Sequence, residues 1–231
     1  MKIIVRACGE RTEKKCIELA SLSGDVIVIR ETPFAASLKK TYEIGKGLKQ
    51  KWLPVIDADV LLTPCTIEQA IKELDKLDDN IFCLDGKTKD KLLCQTRRAG
   101  VHIYRVSMLE RALKFIDFSH IKPETWARKC MESQGFRTHV GNIVFGLHDY
   151  EQFYCDIWRK AVTQTKKLQT KIKKHHEKKW KERIIDLDYK VILHARKWAK
   201  YNHPKILMDK NRDYDAVNQL QKMGLTEKGA M

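Results

Sequence analysis

The sequence predicts an α/β fold in which a mixed sheet is flanked by helices and followed by a Lys-rich helical C-terminal extension. Three observations carry this prediction. Strand and helix patterns alternate over the first 62 residues, an apolar run ends in Asp57-Ala58-Asp59, and lysine and arginine concentrate after residue 160. A chain of 231 residues is long enough for one such domain with a small appendage. We therefore expect an α/β domain at 1–152 and a basic helical extension at 153–231 packed on or next to it.

The first three strands and two helices follow from residue spacing. Short apolar runs bounded by turn residues predict strands, and apolar residues three and four apart predict helices. In chain order these patterns predict a strand at 2–6, a helix at 12–22, a strand at 26–29, a helix at 34–48 and a strand at 53–62. Strands joined by helices run parallel, so their carboxyl ends meet at one edge of the sheet, where ligands bind.

Later elements are predicted from the same signals. They are a helix from Thr66 to Leu77, strands at 81–84 and 101–104, helices from Ser107 and Pro123, and a short strand at 143–145. Asp85-Gly86 is expected to form a turn after the first of these strands. Gly146-Leu147-His148-Asp149 is expected to lead into a helix, with Asp149 as its N-cap. A helical pattern then runs from Tyr150 to about Tyr201.

Composition indicates a cytoplasmic protein with reduced cysteines. No apolar run approaches the ~20 residues that cross a bilayer, and the N-terminal segment becomes polar too soon for a signal peptide. The seven cysteines are odd in number, and none forms a C-x-x-C pair. Free thiols explain this pattern better than a disulfide framework or a zinc site.

The formal net charge of +15 favours anionic partners such as nucleic acid, phosphorylated substrates or an acidic membrane surface. Most of the excess lies between Lys160 and Lys205. Apolar residues interrupt the lysines at helical spacing, which predicts helices with a packing face. The residues expected on that face are Trp158, Leu168, Ile172, Trp180 and Trp198. The basic side is expected either to contact an anionic membrane or acceptor, peripheral at the inner face of the membrane, or to remain in solvent.

Asp57 and Asp59 lie two residues apart in an otherwise apolar segment. In a continuous strand they project from the same face, where two like charges repel each other. A divalent cation removes that repulsion, and Mg²⁺ or Mn²⁺ prefers oxygen ligands and often bridges to substrate phosphates. The alternative is a strand that ends here, with both carboxylates solvated in a turn.

With these features the chain resembles the metal-dependent nucleotide-sugar glycosyltransferases of the GT-A fold, a Rossmann-like class. The resemblance rests on the early strand order, on Asp57-Ala58-Asp59, and on the downstream Gly146-Leu147-His148-Asp149; it covers residues 2–64 well and 93–152 loosely. It implies a site for Mn²⁺ or Mg²⁺ formed by Asp57, Asp59 and His148. Asp59 would be the direct ligand, Asp57 would contact the ribose or metal-bound water, and His148 would be the third protein ligand.

The resemblance also implies roles for other residues. Arg6 and Arg11 would grip the phosphates or nucleotide, although surface solvation explains each equally well. Glu31 would lie near the base or ribose. Glu124 would deprotonate the acceptor hydroxyl in an inverting reaction, whereas a carboxylate in the first turn of a helix is also favoured by the helix dipole.

The expected function is transfer of a sugar from a nucleoside-diphosphate sugar to a hydroxyl group of a glycan, a lipid or another acceptor. One alternative is a metal-dependent nucleic-acid-binding or nucleotidyl-transfer protein. No Gly-Ser pair precedes Asp57, and the first 150 residues lack a basic stripe with interleaved aromatics, which argues against nucleic acid as the partner. A second alternative is a non-catalytic interaction protein that acts through its Lys-rich helix.

Overall fold

The structure, a computed structural model, describes residues 1–120, 122–167, 170–202 and 214–229, and the side chains in these ranges other than those of 166–173 and Tyr214. Leu168 and the side chain of Ile172 therefore lie outside the described residues. The strands are β1 (Lys2–Arg6), β2 (Asp25–Ile29), β3 (Trp52–Asp57), β4 (Val60–Leu62), β5 (Ile81–Asp90), β6 (Gln95–Arg105), β7 (Arg137–His139) and β8 (Val144–His148). The helices are α1 (Glu13–Ser21), α2 (Phe34–Lys46), α3 (Thr66–Leu74), α4 (Leu109–Leu113), α5 (Pro123–Ser133), α6 (Tyr154–Lys167), α7 (Thr170–Lys181), α8 (Leu187–Asn202) and α9 (Tyr214–Lys222).

These strands form one mixed sheet in the order β2–β1–β3–β6–β5–β8–β4, with β7 beside β5. β1 pairs in parallel with both β2 and β3, as the alternation of strands and helices predicts. β6 lies antiparallel between β3 and β5, and β4 is antiparallel to β8. The predicted mixed α/β class is confirmed.

The segment predicted as one strand at 53–62 is two strands in different parts of the sheet. β3 ends at Asp57 beside β1, and β4 begins at Val60 beside β8. The Ala58 N–H donates to the Arg6 carbonyl (2.9 Å), and the Asp149 N–H donates to the Asp59 carbonyl (3.1 Å). The crossing therefore separates the two carboxylates that a continuous strand would hold on one face.

Asp85-Gly86 is not the predicted turn. β5 continues through it, and the pairing with β6 shifts register between Asp85 and Lys87. A Cβ on Gly86 would lie 2.9 Å from the Val101 carbonyl oxygen and 3.0 Å from the Phe145 ring. The absence of a Cβ therefore allows the Val101 carbonyl and the Phe145 ring to approach the backbone closely at the β-bulge. Glycine in a strand commonly marks a bulge of this kind as well as a turn.

Asp149 is not an N-cap. β8 extends through His148, Asp149 has a left-handed backbone (φ 58°), and α6 begins only at Tyr154. The first turn of α6 is capped instead by Glu227, whose carboxylate accepts the N–H groups of Tyr154 (2.6 Å) and Cys155 (3.0 Å). A carboxylate can satisfy these free N–H groups from anywhere in the sequence, so local spacing did not reveal this cap.

Three apolar clusters form the core. Ile3 and Val5 of β1 belong to the cluster on one face of the sheet, and Ile4 to the cluster on the other. The third cluster lies among the C-terminal helices and includes Trp158 and Trp180, each 1% exposed. The β5–β6 turn contributes to it through Leu92, whose carbonyl accepts the Trp180 Nε1 hydrogen at 2.6 Å. The division into 1–152 and 153–231 stays a prediction.

Among the described residues, no helix combines the length and the apolar character that a bilayer span requires. The described cysteines are all free thiols.

Candidate functional site

The adjacent ends of β1 and β3 bring Arg6 and Asp57 together in a buried site. The two residues are register partners across the parallel strands. Arg6 Nε donates to Asp57 Oδ1 at 2.8 Å, and Arg6 Nη2 lies 2.8 Å from the same oxygen. Arg6 Nη1 donates to Glu124 Oε1, also at 2.8 Å. One guanidinium that is 4% exposed therefore compensates two carboxylates.

Glu124 lies in the first turn of α5 and is fully engaged. Besides the Arg6 contact, its Oε1 accepts the Tyr104 hydroxyl at 2.6 Å, and its Oε2 lies 3.0 Å from His102 Nε2. Burial by itself would raise the pKa of Glu124, but Arg6 and His102 hold that pKa well below its usual value. Glu124 is therefore a strongly held anion with little basicity.

His102 connects Glu124 to a second ion pair. Its Nδ1 lies 3.3 Å from Asp85 Oδ1, and Asp85 Oδ2 lies 2.7 Å from Arg128 Nη1. Burial alone lowers the pKa of His102, but Glu124 and Asp85 raise that pKa well above its usual value. The imidazole is thus held as a cation between two carboxylates. We refer to Arg6, Asp57, Asp85, His102, Glu124 and Arg128 as the arginine cluster.

Asp57 differs electrostatically from the other carboxylates of the arginine cluster. Burial raises its pKa, Arg6 lowers it, and the nearby Asp59 and Glu124 raise it again, so that the net direction is upward. Its side chain is 29% exposed. Asp57 is therefore an accessible carboxylate that retains some affinity for a proton.

A second polar cluster forms where β4 and β8 pair and α6 reaches the sheet. Lys160 of α6 places its Nζ 2.7 Å from Asp59 Oδ2 and in contact with Asp149 Oδ1. His148 Nδ1 lies 3.0 Å from Asp90 Oδ2 and 3.1 Å from Asp149 Oδ2. We refer to Asp59, Asp90, His148, Asp149 and Lys160 as the lysine cluster. It joins the sheet to the first helix of the basic extension.

Four members of the lysine cluster stabilise one another in their charged forms. Burial lowers the pKa of His148, but Asp149 and Asp59 raise it to about 10. Burial raises the pKa of Asp59, but Lys160 and His148 lower it overall, and His148 and Lys160 do the same for Asp149. The pKa of Lys160 is raised by the same two carboxylates, which outweigh its burial. These groups are therefore ionised at neutral pH.

Asp59, His148 and Asp149 fit a divalent cation. One ligand atom from each lies within 4.8 Å of the others. Asp59 Oδ1 is buried without a hydrogen-bond partner among the described residues, and it lies 3.5 Å from His148 Nε2. A cation would displace the Nε2 proton of His148, and Asp90 beside Nδ1 favours the neutral tautomer that leaves Nε2 as the ligand atom, as an outer partner of a metal-binding histidine does. Asp57 is not part of this group, because the chain crosses to β4 after it.

A cavity of about 690 Å³ opens between the two clusters. Asp57 of the arginine cluster and His148 of the lysine cluster both line it. Its cationic lining residues are Arg97, Arg98, Lys122, Arg128 and Lys129. A site with carboxylates, two imidazoles and five lysine or arginine side chains suits an anionic ligand that carries its own divalent ion.

The other predicted site residues lie apart from this cavity. Arg11 Nη1 lies 2.6 Å from Glu151, and its Nε donates to the Gly229 carbonyl at 2.7 Å. Glu31 is exposed after β2. The structure thus brings Arg6, Asp57 and Glu124 into one cluster and Asp59 and His148 into the other. It places Arg11 and Glu31 in neither.

Sequence reasoning missed several members of the two clusters. Asp149 lies next to His148 in the sequence, but its place before a helical pattern predicts a helix cap, and no local spacing distinguishes His102. Burial of Asp85 and Asp90 becomes apparent only once β5 is extended through the bulge to Asp90. Lys160 carries no local signal, because one lysine among many on a basic helix is not distinguishable by spacing.

Comparisons with known proteins show similarity in structure only. No protein-family model and no curated protein matches the chain. A mannosyltransferase from Pyrobaculum calidifontis, solved in complex with GDP-Man and Mn²⁺, is similar over 97% of this chain and 76% of its own, with a TM-score of 0.51 and 12% identity.

Two further solved structures have lower TM-scores. A glycosyltransferase involved in the glycosylation of the major capsid of PBCV-1 has a TM-score of 0.42 and 13% identity, over 65% of this chain and 93% of that one. The 4-diphosphocytidyl-2C-methyl-D-erythritol synthase from Anaerococcus prevotii has a TM-score of 0.44 and 11% identity, over 64% and 89%. The structural neighbours thus include GT-A glycosyltransferases and related nucleotidyltransferases, and the fold predicted from the resemblance is confirmed.

Proposed function

We propose that the protein is a metal-dependent glycosyltransferase that moves a sugar from a nucleoside-diphosphate sugar to an acceptor hydroxyl. The observation that carries this proposal is the group of Asp59, His148 and Asp149, whose ligand atoms lie within 4.8 Å of one another and whose His148 lines a cavity with a cationic lining. Asp59 Oδ1 is buried and lacks a hydrogen-bond partner among the described residues. The shared GT-A fold supports the proposal at the level of architecture.

Asp59, His148 and Asp149 would hold Mn²⁺ or Mg²⁺, with Asp90 orienting His148. When bound, the ion would neutralise the diphosphate and stabilise the charge that develops on it as the leaving group. Asp57, predicted as a ligand, is held by Arg6 instead and faces the same cavity. In this proposal its contact is with the donor rather than with the ion.

The cationic residues of the cavity bind the donor. Arg97, Arg98 and Lys129 line it without being buried. Arginine presents several N–H groups in a fork that suits phosphate oxygens, and a positive cavity wall raises the local concentration of an anionic ligand. The donor diphosphate is thereby held beside His148 and Asp57.

The acceptor hydroxyl has to lose a proton during transfer. Glu124 was predicted for this step, but both of its oxygens are engaged and its pKa is low. Asp57 has a raised pKa and lines the cavity. A general base works best when its pKa is near the working pH, so these contacts favour Asp57 as the proton acceptor and Glu124 as the residue that positions Arg6.

The acceptor class and location belong to the proposal as well. A glycan, a lipid or another hydroxyl compound fits the chemistry. A cytoplasmic location, with the basic helices against an anionic membrane, agrees with the charge of the extension. Nucleotidyl transfer is the second candidate function, because five cations beside a metal-binding group suit a triphosphate as well as a diphosphate.

A thermal-unfolding comparison distinguishes these functions. UDP-, GDP-, CDP- and dTDP-linked sugars are tested against CTP and a short DNA duplex, each with and without Mn²⁺. At ~100 times the dissociation constant a ligand adds about 2.7 kcal/mol of stability. We expect that shift with one nucleotide-sugar, only with metal, and not in Asp59→Asn.

The exposed variant Asp25→Asn serves as the control, because the Asp25 side chain is 76% exposed. A shift produced by CTP but by no nucleotide-sugar would favour nucleotidyl transfer. A metal-independent response, or one that survives in Asp59→Asn, would contradict the proposed metal site.

A further inference from the structure

A second cavity lies on the basic extension, between α7 and α8. Its volume is about 860 Å³, and its cationic lining residues are Lys174, Lys178, Lys181, Arg196 and Lys200. Glu177 and Glu182 are its two carboxylates, which leaves the lining with three more cations than anions. None of these residues lines the cavity between the arginine and lysine clusters. We refer to this second cavity as the basic groove.

Arg196 is built into the wall of the basic groove. Its side chain is 3% exposed, and its guanidinium carbon lies 4.8 Å from the centroid of the Trp180 ring. Its Nη2 donates to Glu177 Oε2 at 3.0 Å. Its Nε and Nη1 are buried and have no hydrogen-bond partner among the described residues. A buried guanidinium with two unused donors is costly, because each unmade bond leaves an N–H group without solvent or partner.

The carboxylates of the groove do not neutralise all of its lysines. Glu177 lies 3.3 Å from Lys181 and 3.9 Å from Lys200, so one carboxylate is shared among these lysines and Arg196. Lys174 and Lys178 have no carboxylate partner in the described part of the chain. Like charges this close repel each other, and an anion between them removes the repulsion.

We infer that the basic groove binds a phosphate group, as a phosphomonoester or a diphosphate. Such a group carries about two negative charges or more at neutral pH, which matches the excess of three cations. It also supplies several acceptor oxygens in the geometry that the arginine guanidinium recognises. A single carboxylate would supply only one negative charge. The Trp180 ring fixes the plane of the Arg196 guanidinium and prepares it for that contact. This inference goes beyond the proposed transferase activity, because it uses different residues.

Titration calorimetry with pyrophosphate in EDTA tests the inference. The full chain carries Arg98→Ala and Lys129→Ala throughout, which reduces the contribution of the cavity between the clusters equally in every variant. Adding Lys178→Ala and Lys200→Ala is expected to weaken binding roughly 25-fold, at about fivefold for each lysine. The matched control adds Lys39→Ala and Lys46→Ala, two exposed lysines of α2, and is expected to bind as its parent does.

The source of the phosphate is distinguished by co-sedimentation with vesicles. Phosphatidylcholine vesicles contain either phosphatidic acid, which exposes a phosphomonoester, or phosphatidylserine at equal surface charge. Preferential pelleting with phosphatidic acid, lost in the Lys178/Lys200 variant, assigns a lipid phosphate. Pyrophosphate binding without pelleting assigns a soluble phosphate compound.

Three results would overturn the inference. The first is the absence of both pyrophosphate binding and a preference for phosphatidic acid. The second is equal weakening by the groove pair and by the α2 control pair, which would indicate net charge alone. The third is unchanged pyrophosphate binding in Arg196→Lys, in protein shown by circular dichroism to be folded, because this variant keeps the charge but not the fork.

Discussion

The arginine cluster and the lysine cluster lie at the same edge of the sheet, but they are completed in different ways. The arginine cluster balances Arg6, His102 and Arg128 against three carboxylates, all from elements within residues 1–133. The lysine cluster needs Lys160 from α6 to compensate Asp59 and Asp149. Without that side chain, His148 would be the remaining cation of the cluster beside these two carboxylates. The comparison indicates that the arginine cluster is a fixed framework. In the lysine cluster, Lys160 occupies the same two carboxylates that the proposed metal ion would need.

Removing Arg6 gives the largest expected effect and tests the framework role. Arg6→Met leaves the buried Glu124 and the partly exposed Asp57 without their shared cation, so the free energy of unfolding should fall by about 3–5 kcal/mol. Urea unfolding followed by circular dichroism measures this fall. Arg30→Met is the control, because Arg30 is 62% exposed and its pair with Glu13 contributes ~1 kcal/mol or less. A loss as small as that of the control would show that the cluster does not support the fold.

Asp59→Asn tests the lysine cluster as the metal site. We expect Mn²⁺ affinity to fall by more than ~100-fold, since even outer partners of metal ligands typically account for 10–100-fold. Electron paramagnetic resonance of free Mn²⁺ measures the change. Asp78→Asn is the control, because the Asp78 side chain is exposed. Asp57→Asn should retain most of the affinity. Equal losses of Mn²⁺ affinity in Asp57→Asn and Asp59→Asn would show that Asp57 is also a metal ligand.

Lys160→Met tests the competition directly. The ammonium and the metal use the same two carboxylates, so its removal should raise Mn²⁺ affinity by about tenfold, or ~1.4 kcal/mol. The metal-free variant should be less stable than the wild-type protein, and saturating Mn²⁺ should restore much of the loss. Calorimetric titration and metal-dependent melting measure the two quantities. Weaker Mn²⁺ binding in Lys160→Met would mean that the lysine supports the ion instead of displacing it.

The smallest expected effect is a dependence on pH within the arginine cluster. His102 has a raised pKa in the folded protein, so its stabilisation is complete below its unfolded pKa of about 6.5 and is lost as pH rises through the folded value. Each unit of difference is worth about 1.4 kcal/mol. His102→Gln should therefore flatten the decline of unfolding free energy above pH 6.5 relative to wild type, in urea series with EDTA. If the unfolding free energy of the two proteins depended on pH in the same way, His102 would not be a stabilising cation in the folded protein.

The structural features that the sequence predicts well are those set by the order of neighbouring strands and helices along the chain. Parallel pairing of β1 with β2 and β3 follows from strand–helix alternation, and it places Arg6 beside Asp57. The split at Ala58 was not predictable in this way, because an apolar run does not show which neighbour each half will pair with. Lys160 and Glu227 act on residues about 100 and 70 positions away, and spacing carries no information at that range.

The cap that Glu227 places on α6 has a consequence for the order of events during synthesis. His148 and Asp149 are translated about 80 residues before Glu227, and Asp59 earlier still. At 5–20 residues per second that interval lasts roughly 4–16 s. Throughout it, the helix that carries Lys160 lacks the carboxylate that holds its first turn. The nascent chain therefore exposes these carboxylates before the helix that carries Lys160 is capped, and a metal ion at the proposed site would bind most easily during that interval.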